Sequence, residues 1–353
     1  MRLDCRMCGG TLTDQLHLTH TPLANSFADK PDHDAERFPL TLAECNACKH
    51  VQLRHVVPDR VLFPSPLETS KSKYGVQKYA YSTPEAVLPH WKDWAASVAR
   101  PGTALEIGSN NGLLLDCLNA VGFKTVVGID PCGTHFATWK MPFDMKAGRL
   151  FIDRCGQADV ILAANVFAHI DNLGEVFDAI SFCLAPDGLL EFEFQYFPDM
   201  VASGAFDMVY HEHRDYHTLA PWVGFLERRG LYIKGFKHLP QHGGSMRVSV
   251  SKHYHNVELP DETVDWDGFA ARIATVKKNV RKALLEAPRP IVAFGATAKA
   301  TTLLHHCGVT DLIDYCVDET PAKRGKYIPG TGIEIRPEMG EVGTLFLTAW
   351  NFE

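Results

Sequence analysis

In the middle of the 353-residue chain, segments with the apolar pattern of a strand alternate with segments that have the apolar spacing of a helix. Short apolar runs bounded by glycine or aspartate predict buried strands, and longer runs with apolar residues at every third or fourth position predict helices. The predicted strands are 104–107, 125–129, 159–166 and 189–194, and the predicted helices are 84–98, 113–121 and 173–184. Strands that alternate with helices in this order predict a doubly wound α/β sheet.

The last third of the chain repeats this alternation. Residues 261–287 predict one long amphipathic helix that two prolines end. The elements predicted after it are a strand at 291–294, a turn at 295–301, a helix at 301–307 and a strand at 312–317. The chain therefore contains a second strand–turn–helix–strand unit, which is neither a P-loop nor a G-x-G-x-x-G motif.

The turn after the strand at 104–107 is the first candidate ligand site. Gly108 and Gly112 bracket it, and the helix behind it exposes backbone N–H groups at its N-terminus. Asp130 ends the next strand, at the distance where an acidic side chain usually holds ribose hydroxyls. Asn110 replaces the second glycine of a dinucleotide fingerprint.

The segment E-x-G-x-N-x-G instead resembles the variant seen in S-adenosylmethionine-dependent methyltransferases. That resemblance implies that its first residue, Glu106, lies near the methionine end of the cofactor. Asn165 lies at the end of the predicted strand at 159–166, and we expect it and His169 to face the cofactor because ligands sit beyond the carboxyl ends of such strands. An ordinary strand–helix turn is the alternative.

Two C-x2-C pairs near the N-terminus predict a metal centre. Cys5 and Cys8 form the first pair, and Cys45 and Cys48 form the second. Each pair places two thiolates on one tight turn, and two such turns complete a tetrahedral Zn²⁺ site. Four thiolates leave no open position, so we expect this zinc to be structural, with residues 22–38 looped out between the knuckles. Disulfides are the alternative.

Composition restricts the kind of partner. A hydrophobic content of 46% with 22% charged residues is that of a globular protein, and the net charge of −7 comes without a basic segment. A protein that acts on nucleic acid is expected to carry a basic footprint, so a small-molecule substrate is favoured. The sequence contains neither a secretory signal nor an apolar run of membrane-spanning length. We therefore expect a cytoplasmic protein with no membrane partner, of unknown oligomeric state.

Candidate catalytic side chains are most concentrated in one segment of four consecutive residues, Tyr210, His211, Glu212 and His213. As a strand, the segment would place Tyr210 and Glu212 on one face and the two histidines on the other. One interpretation is a general base with an orienting carboxylate, since histidine suits proton abstraction near neutral pH. A metal site that also includes His217 and a structural hydrogen-bond network are the alternatives.

Several further residues are candidate substrate contacts, each with a structural alternative. Two tyrosines, at 79 and 81, are either amphipathic anchors for the substrate or core aromatics. The glycine-rich segment at 241–250 contains a histidine and an arginine that could contact the substrate or form a structural hairpin. The C-terminal unit contains polar side chains that could bind a phosphate. The candidates are Tyr79, Tyr81, His242, Arg247, Thr297, Lys299, Lys323 and Tyr327. Solvated surface charge is the alternative for the last lysine and tyrosine.

These segments together resemble the three-domain sugar C-methyltransferases that act on nucleotide-linked deoxysugars. The motifs that carry the resemblance are the four cysteines, EIGSNNG, YHEH, HGGSMR, GATAKATTLL and KRGKYIPGT, in the family's order. It implies a zinc module over 1–60, a Rossmann-like methyltransferase core over 61–257, and a second Rossmann-like domain over 258–353 that binds the nucleotide diphosphate of the substrate.

The resemblance also implies the chemistry. His213 is then the base, assisted by Tyr210, Glu212 and one of Tyr79 and Tyr81. The ketone at C4 of the sugar acidifies the C3–H, His213 removes that proton, and the resulting enolate accepts the methyl group at C3. Methylation of oxygen or nitrogen on the same class of sugar is the alternative, because it needs no carbon acid.

Overall fold

The computed structural model describes residues 2–62 and 87–350, which form three sheets. The strands are β1 (Leu12–Thr21), β2 (Phe38–Cys45), β3 (Val51–Leu53), β4 (Thr103–Ile107), β5 (Thr125–Ile129), β6 (Thr138–Trp139), β7 (Ala158–Ala164), β8 (Leu184–Gln195), β9 (Asp215–Tyr216), β10 (Tyr232–Leu239), β11 (Ser245–Ser251), β12 (Ile291–Phe294), β13 (Tyr315–Val317), β14 (Ile335–Arg336) and β15 (Thr344–Leu347). The helices are α1 (Asp59–Leu62), α2 (Leu88–Ser97), α3 (Leu113–Ala120), α4 (Met145–Cys155), α5 (Leu173–Cys183), α6 (Phe197–Ser203), α7 (Ala220–Glu227), α8 (Trp266–Glu286) and α9 (Ala298–Cys307).

The first sheet carries the cysteine knuckles and has the strand order β1-β2-β3-β9. Strands β1 and β2 pair in antiparallel fashion, and residues 22–37 form the expected excursion between them. The fourth strand, β9, comes from the middle of the chain and pairs with β3. The N-terminal sheet is therefore completed by the segment that directly follows His213.

The second sheet has the order β10-β11-β8-β7-β4-β5-β6, and its five strands from β8 to β6 run parallel. Both faces are covered, as a parallel sheet requires. Along β4, Ala104 packs in the cluster that contains α2 and α3, whereas Leu105 and Ile107 pack with α4 and α5. The alternation of a strand thus sends successive side chains into two cores, and the α/β prediction is confirmed.

Strand β8 starts five residues before the predicted position, because the expected Pro186–Gly188 turn lies inside it. Ala158 of β7 pairs with Leu184, and Val160 pairs with Leu189, so β8 has an irregular register at this point. The Pro-Asp-Gly sequence is absorbed there as a bulge, which is where a strand tolerates a proline.

The third sheet is parallel throughout and has the order β14-β13-β12-β15. Strand β12 starts and ends as predicted, and α9 starts three residues earlier, at Ala298. Helix α8 starts at Trp266 because Asp265 caps it, with its Oδ1 accepting the Gly268 N–H at 2.9 Å. The second Rossmann-like unit is therefore present. No helix within the described residues is long and apolar enough to cross a membrane.

Candidate active site

The turn after β4 is held by the aspartate that directly follows β5. Gly108 and Gly112 have φ angles of 75° and 78°, in the left-handed region that glycine adopts readily. The carboxylate of Asp130 accepts the backbone N–H of Asn110 at 2.9 Å and that of Cys132 at 2.6 Å. Asp130 therefore builds the turn, in addition to the ligand contact that the sequence predicts for it.

Glu106 lies beneath this turn at the end of β4 and is 3% exposed. Its Oε2 has no hydrogen-bond partner in the part of the chain that the structure describes. Burial and the nearby Asp130 raise the pKa of Glu106 well above its usual range. A buried acid with an unmatched oxygen beside a helix N-terminus fits the ammonium group of a bound amino acid moiety, and this is the end of S-adenosylmethionine that the resemblance assigns to Glu106.

Asn165 reaches the same place from the neighbouring strand. It follows β7 with a φ of 52°, and its N–H donates to the Glu193 carbonyl at 2.9 Å. Asn110 and Asn165 both line one cavity of about 520 Å³. Because β4 lies between β5 and β7, the carboxyl ends of these strands bring the predicted cofactor residues together at one edge of the sheet.

The cavity is shared by all three sheets. Its wall is formed by residues from the zinc module, from the predicted cofactor site, from the segment that carries Tyr210 and from the C-terminal unit. The lining residues used below are Asn25, Asn110, Asn165, His169, Tyr210, His213, Asp215, His217, His242, Thr297, Lys299, Asp318, Thr320 and Lys323. The predicted candidates Tyr79 and Tyr81 lie outside the described residues.

The segment that carries Tyr210 and His213 is a turn and not the strand considered for it from the sequence. The His213 N–H donates to the Tyr210 carbonyl at 3.0 Å, which closes the turn. This brings residues three apart together: the Tyr210 hydroxyl lies 2.7 Å from His213 Nε2. A strand would have placed these two side chains on opposite faces.

The other ring nitrogen of His213 fixes its tautomer. His213 Nδ1 lies 3.2 Å from the Met208 carbonyl, which can only accept, so Nδ1 carries the hydrogen. Nε2 then has the lone pair and accepts the Tyr210 hydroxyl. Burial and the neighbouring His169 lower the pKa of His213 well below its usual range, so the ring is neutral at pH 7 and Nε2 can receive a proton.

Glu212 does not orient His213 in this structure. Its side chain is fully buried, and its Oε1 accepts the amide N–H of Asn25 at 3.1 Å. Burial raises the pKa of Glu212 to about 7. The Met208 carbonyl, and not the predicted carboxylate, orients the His213 ring. Glu212 instead contacts Asn25, which lines the cavity. Asn25, on the excursion between the knuckles, has no motif that would have revealed it.

The three histidines of the alternative metal hypothesis are not gathered into one site. Within residues 2–62 and 87–350, the group of metal-ligating side chains that meets is the four cysteines. His211 packs edge-on against Phe38, with ring centroids 5.7 Å apart. His217 lines the cavity, and neither of its ring nitrogens has a partner among the described residues.

The turn after β12 is the second candidate ligand site. The carboxylate of Asp318, at the end of β13, accepts the N–H of Ala296 at 2.8 Å and that of Thr320 at 2.9 Å. Lys323 also pairs with it, with Nζ 3.0 Å from Oδ2. Lys323 is therefore a buried cation on the cavity wall, and the surface-charge alternative does not hold for it. The buried Oγ1 of Thr297, at the start of α9, has no partner in the described ranges.

Lys299 is a second buried cation on the same wall. Its Nζ lies 4.0 Å from the centroid of the Trp350 ring, and the Trp350 indole donates to Asp207 at 2.7 Å. Burial lowers the pKa of Lys299 to about 8, although the Asp207 carboxylate opposes the shift. An anion that reaches this wall would meet two lysines, one hydroxyl and a helix N-terminus.

The remaining predicted contacts differ in their placement. His242 lines the cavity with a φ of 57°. Arg247 instead forms a buried pair with Glu193, with Nε 2.7 Å from Oε1, and lies over the Trp94 ring at 4.2 Å. Tyr327 forms a backbone bridge with Ala28 of the zinc module. Neither Arg247 nor Tyr327 is among the described residues that line the cavity, because both are committed to contacts between elements.

The four cysteines fit a tetrahedral Zn²⁺ site. The Sγ atoms of Cys5 and Cys48 lie 3.6 Å apart, those of Cys8 and Cys45 lie 3.5 Å apart, and all four lie within 4.8 Å of one another. Zinc–sulfur bonds of ~2.3 Å in a tetrahedron place sulfurs roughly 3.8 Å apart. The Met7 N–H points at Cys5 Sγ, at 3.4 Å, as expected for a thiolate knuckle.

Comparisons with known proteins match this arrangement over the whole chain. A zinc-binding domain model matches residues 5–63, a methyltransferase domain model matches 84–234, and the model of the C-methyltransferase C-terminal domain matches 240–353. The chain is also similar to the C-methyltransferase NovU of Streptomyces niveus, with 30% identity over 99% of this chain and 90% of that protein. The chain belongs to the C-methyltransferase family.

Membership in this family confirms several of the predictions made from the sequence. The protein is an S-adenosylmethionine-dependent C-methyltransferase with a structural zinc site, so carbon is the methylated atom rather than oxygen or nitrogen. Among solved structures, the chain is similar to an S-adenosylmethionine-dependent methyltransferase from Mesorhizobium loti and to the N-methyltransferase NodS from Bradyrhizobium japonicum. The TM-scores are 0.36 and 0.35, the identities 13% and 14%, and the coverage 46% and 47% of this chain and 99% and 94% of theirs. Likenesses of this size carry no argument about function.

Proposed function

We propose that this C-methyltransferase methylates C3 of a nucleotide-diphosphate-linked 4-keto-deoxysugar through an enolate. One observation carries the proposal: a single cavity is lined by the cofactor turn residue Asn110, by the Tyr210–His213 pair, and by the two buried lysines of the C-terminal unit. A methyl donor, a proton acceptor and an anion site are the three parts that such a reaction needs.

His213 is the proposed base. Its Nε2 carries the lone pair, because Nδ1 is committed to the Met208 carbonyl. The C3–H beside the C4 ketone gives its proton to Nε2, and the electron pair of that C–H bond passes into the enolate. A neutral, positioned imidazole is the form required for this step.

Tyr210 is proposed to stabilise the enolate oxygen. Its hydroxyl donates to His213 Nε2 at 2.7 Å when no substrate lies between them. A substrate C–H that approaches Nε2 displaces this contact, and the hydroxyl is then available to the oxygen that becomes negative. When bound, S-adenosylmethionine would supply the electrophilic methyl group to the C3 carbon, and the electron pair of the broken S–CH₃ bond would stay on sulfur. Alignment by Asn110, Asn165 and Asp130 is what the chain contributes there.

The diphosphate is proposed to bind at the start of α9. Thr297, Lys299 and Lys323 face the same cavity, and all three come from the C-terminal unit. Lys299 and Lys323 are buried, which strengthens their interaction with an anion relative to surface lysines. We also infer a small-molecule substrate and a reducing cytoplasmic location; the latter is supported by the ten cysteines, none of which forms a disulfide.

The test is a methyl-transfer assay on a panel of nucleotide-linked 4-keto sugars, with NMR of the product and of the C3 position in D₂O. The wild-type enzyme is expected to exchange the C3 hydrogen with solvent and to form a C3-methyl branch. His213→Asn is expected to lose both. His253→Asn is the control, because that side chain is exposed and pairs with Asp187, away from the cavity-lining residues.

A product methylated elsewhere would overturn the C3 assignment. If His213→Asn still exchanged the C3 hydrogen, another group would be the base. If no nucleotide-linked sugar were methylated while simpler ketones were, the diphosphate site would be wrong.

A further inference from the structure

Arg6 is a buried arginine that lies between Cys5 and Cys8 on the first zinc knuckle. Its side chain is 2% exposed, and Nη1 donates to Asp215 Oδ2 at 2.5 Å. Nη2 donates to the carbonyls of Ile170 and Asp171. One guanidinium therefore contacts two separate segments of the methyltransferase core, which only the planar fork of arginine can do at once.

Both segments carry a histidine of the cavity. Asp215 follows His213 by two residues, and Ile170 follows His169 directly. The rings of His169 and His213 lie with centroids 5.0 Å apart. The carboxylate and carbonyls that Arg6 holds are thus each within two residues of one of these rings.

The second knuckle contributes a further contact to the same carboxylate. His50, two residues after Cys48, donates from Nε2 to Asp215 Oδ1 at 2.8 Å. The backbone is joined as well, because Gln52 of β3 pairs with Asp215 of β9, and the Leu53 N–H donates to the Arg214 carbonyl at 2.9 Å. Both oxygens of Asp215 therefore accept hydrogen bonds from residues that lie within two positions of a zinc ligand.

We infer that Arg6 is a positioning residue, through which the zinc knuckles fix the His213 segment against the His169 segment. The inference rests on the proposed function, in which His213 is the base. The structural zinc then has a role beyond the stability of its own module: it holds the turn that orients Arg6, and Arg6 holds the two histidine segments at their working distance. A displacement of about 1 Å in such a geometry can reduce a rate about 100-fold.

The chain provides a matched control for this test. Arg54 is also a buried arginine of the zinc module, with one carboxylate partner, Asp14 at 2.5 Å, and two carbonyl partners, Arg2 and Leu12. Its side-chain partners among residues 2–62 and 87–350 all lie within the module. Arg6→Lys and Arg54→Lys therefore remove the same kind of guanidinium fork, but only Arg6 contacts the segments that carry His169 and His213.

The experiment compares these two variants, each checked for one zinc per chain. Hydrogen exchange is measured by mass spectrometry on peptides that cover 167–171 and 210–217, and kcat is measured with KM for S-adenosylmethionine. Arg6→Lys is expected to raise exchange in both peptides and to lower kcat about 10- to 100-fold, with KM for S-adenosylmethionine within about twofold. Arg54→Lys is expected to leave both peptides and kcat as in the wild type. Zinc removal by a chelator is expected to raise exchange in the same two peptides.

Wild-type exchange and kcat in Arg6→Lys would overturn the inference. An equal loss in Arg54→Lys would also overturn it, since loosening of the whole module would then be the cause. Failure of the proposed function is seen separately, as C3 exchange that persists in His213→Asn, because the peptide measurements do not depend on the sugar substrate.

Discussion

The turns after β4 and β12 have the same construction in two different sheets. In each, a strand leads through a glycine with positive φ, Gly108 or Gly295, into a helix. The aspartate that ends the neighbouring parallel strand accepts one N–H from the turn and a second from the residue two places after itself. Asp130 and Asp318 are thus equivalent parts of two similar frames.

The two turns differ in the side chains that other elements bring to them. Beside the first lies Glu106, a buried acid, whereas Lys299 and Lys323 lie beside the second. A helix N-terminus alone attracts an anion, and the acid beneath the first turn shifts its preference toward a ligand that also carries positive charge. The comparison shows that both turns supply backbone N–H donors, whereas the buried charged side chains around each turn determine which ligand it favours.

The largest effect is expected from breaking the first turn at Gly112. A Cβ there would overlap the His135 side chain at a φ of 78°, so Gly112→Ala combines backbone strain with overpacking, about 2–4 kcal/mol together. S-adenosylmethionine affinity is expected to fall about 100-fold by calorimetry. Gly122→Ala is the control, because Gly122 has a φ of 95° but no atom within 4 Å of the added Cβ. An equal loss in both variants would contradict the assignment of the first turn.

The second turn is tested by removing its buried cation. Lys323→Met leaves Asp318 without its ion-pair partner and is expected to raise KM for the nucleotide sugar about 30-fold, or ~2 kcal/mol. S-adenosylmethionine affinity is expected to stay within about twofold of the wild type. The control is Lys326→Met, three residues away, where Nζ pairs with Asp29 of the zinc module. Weaker cofactor binding in Lys323→Met would show that the two sites are not separate.

Asp130→Asn makes the reciprocal change in the first turn. Each Asp130 oxygen accepts one of the two N–H groups, and asparagine replaces one of these oxygens with an NH2 group that cannot accept, so cofactor affinity is expected to fall about tenfold. KM for the nucleotide sugar should change little. Calorimetry and initial rates measure the two effects, with Asp153→Asn on the exposed face of α4 as the control. A larger effect on the KM for the nucleotide sugar than on cofactor affinity would contradict the assignment of the cofactor to the turn after β4.

The smallest effect is expected from pH. Burial lowers the pKa of Lys299 to about 8, so the ammonium form is lost as pH rises through this value. Between pH 7 and pH 9 its protonated fraction falls from about nine-tenths to about one-tenth. We expect kcat/KM for the nucleotide sugar to fall about five- to tenfold over this range. Lys299→Met should be slower at pH 7 and flat above it, whereas Lys278→Met should keep the wild-type profile.

Local sequence was sufficient for much of this protein. The two C-x2-C knuckles, the turn at Gly108–Gly112 and the start of β12 each depend on residues that lie within a few positions of one another. Their geometry follows from turn and helix rules that act over such short distances. The fold class followed for the same reason, since the order of strands and helices is written in consecutive residues.

The arrangement of the reacting groups depended on contacts between distant segments. His213 pairs with Tyr210 because the segment turns instead of extending, and β9, which follows this turn, pairs with β3 of the zinc module. Arg247 is committed to Glu193 and Lys323 to Asp318, and no local pattern shows either partner. A buried charge is stable only with its partner, so where each charged group lies was decided by the tertiary structure, whereas the sequence alone determined which chemical groups were available.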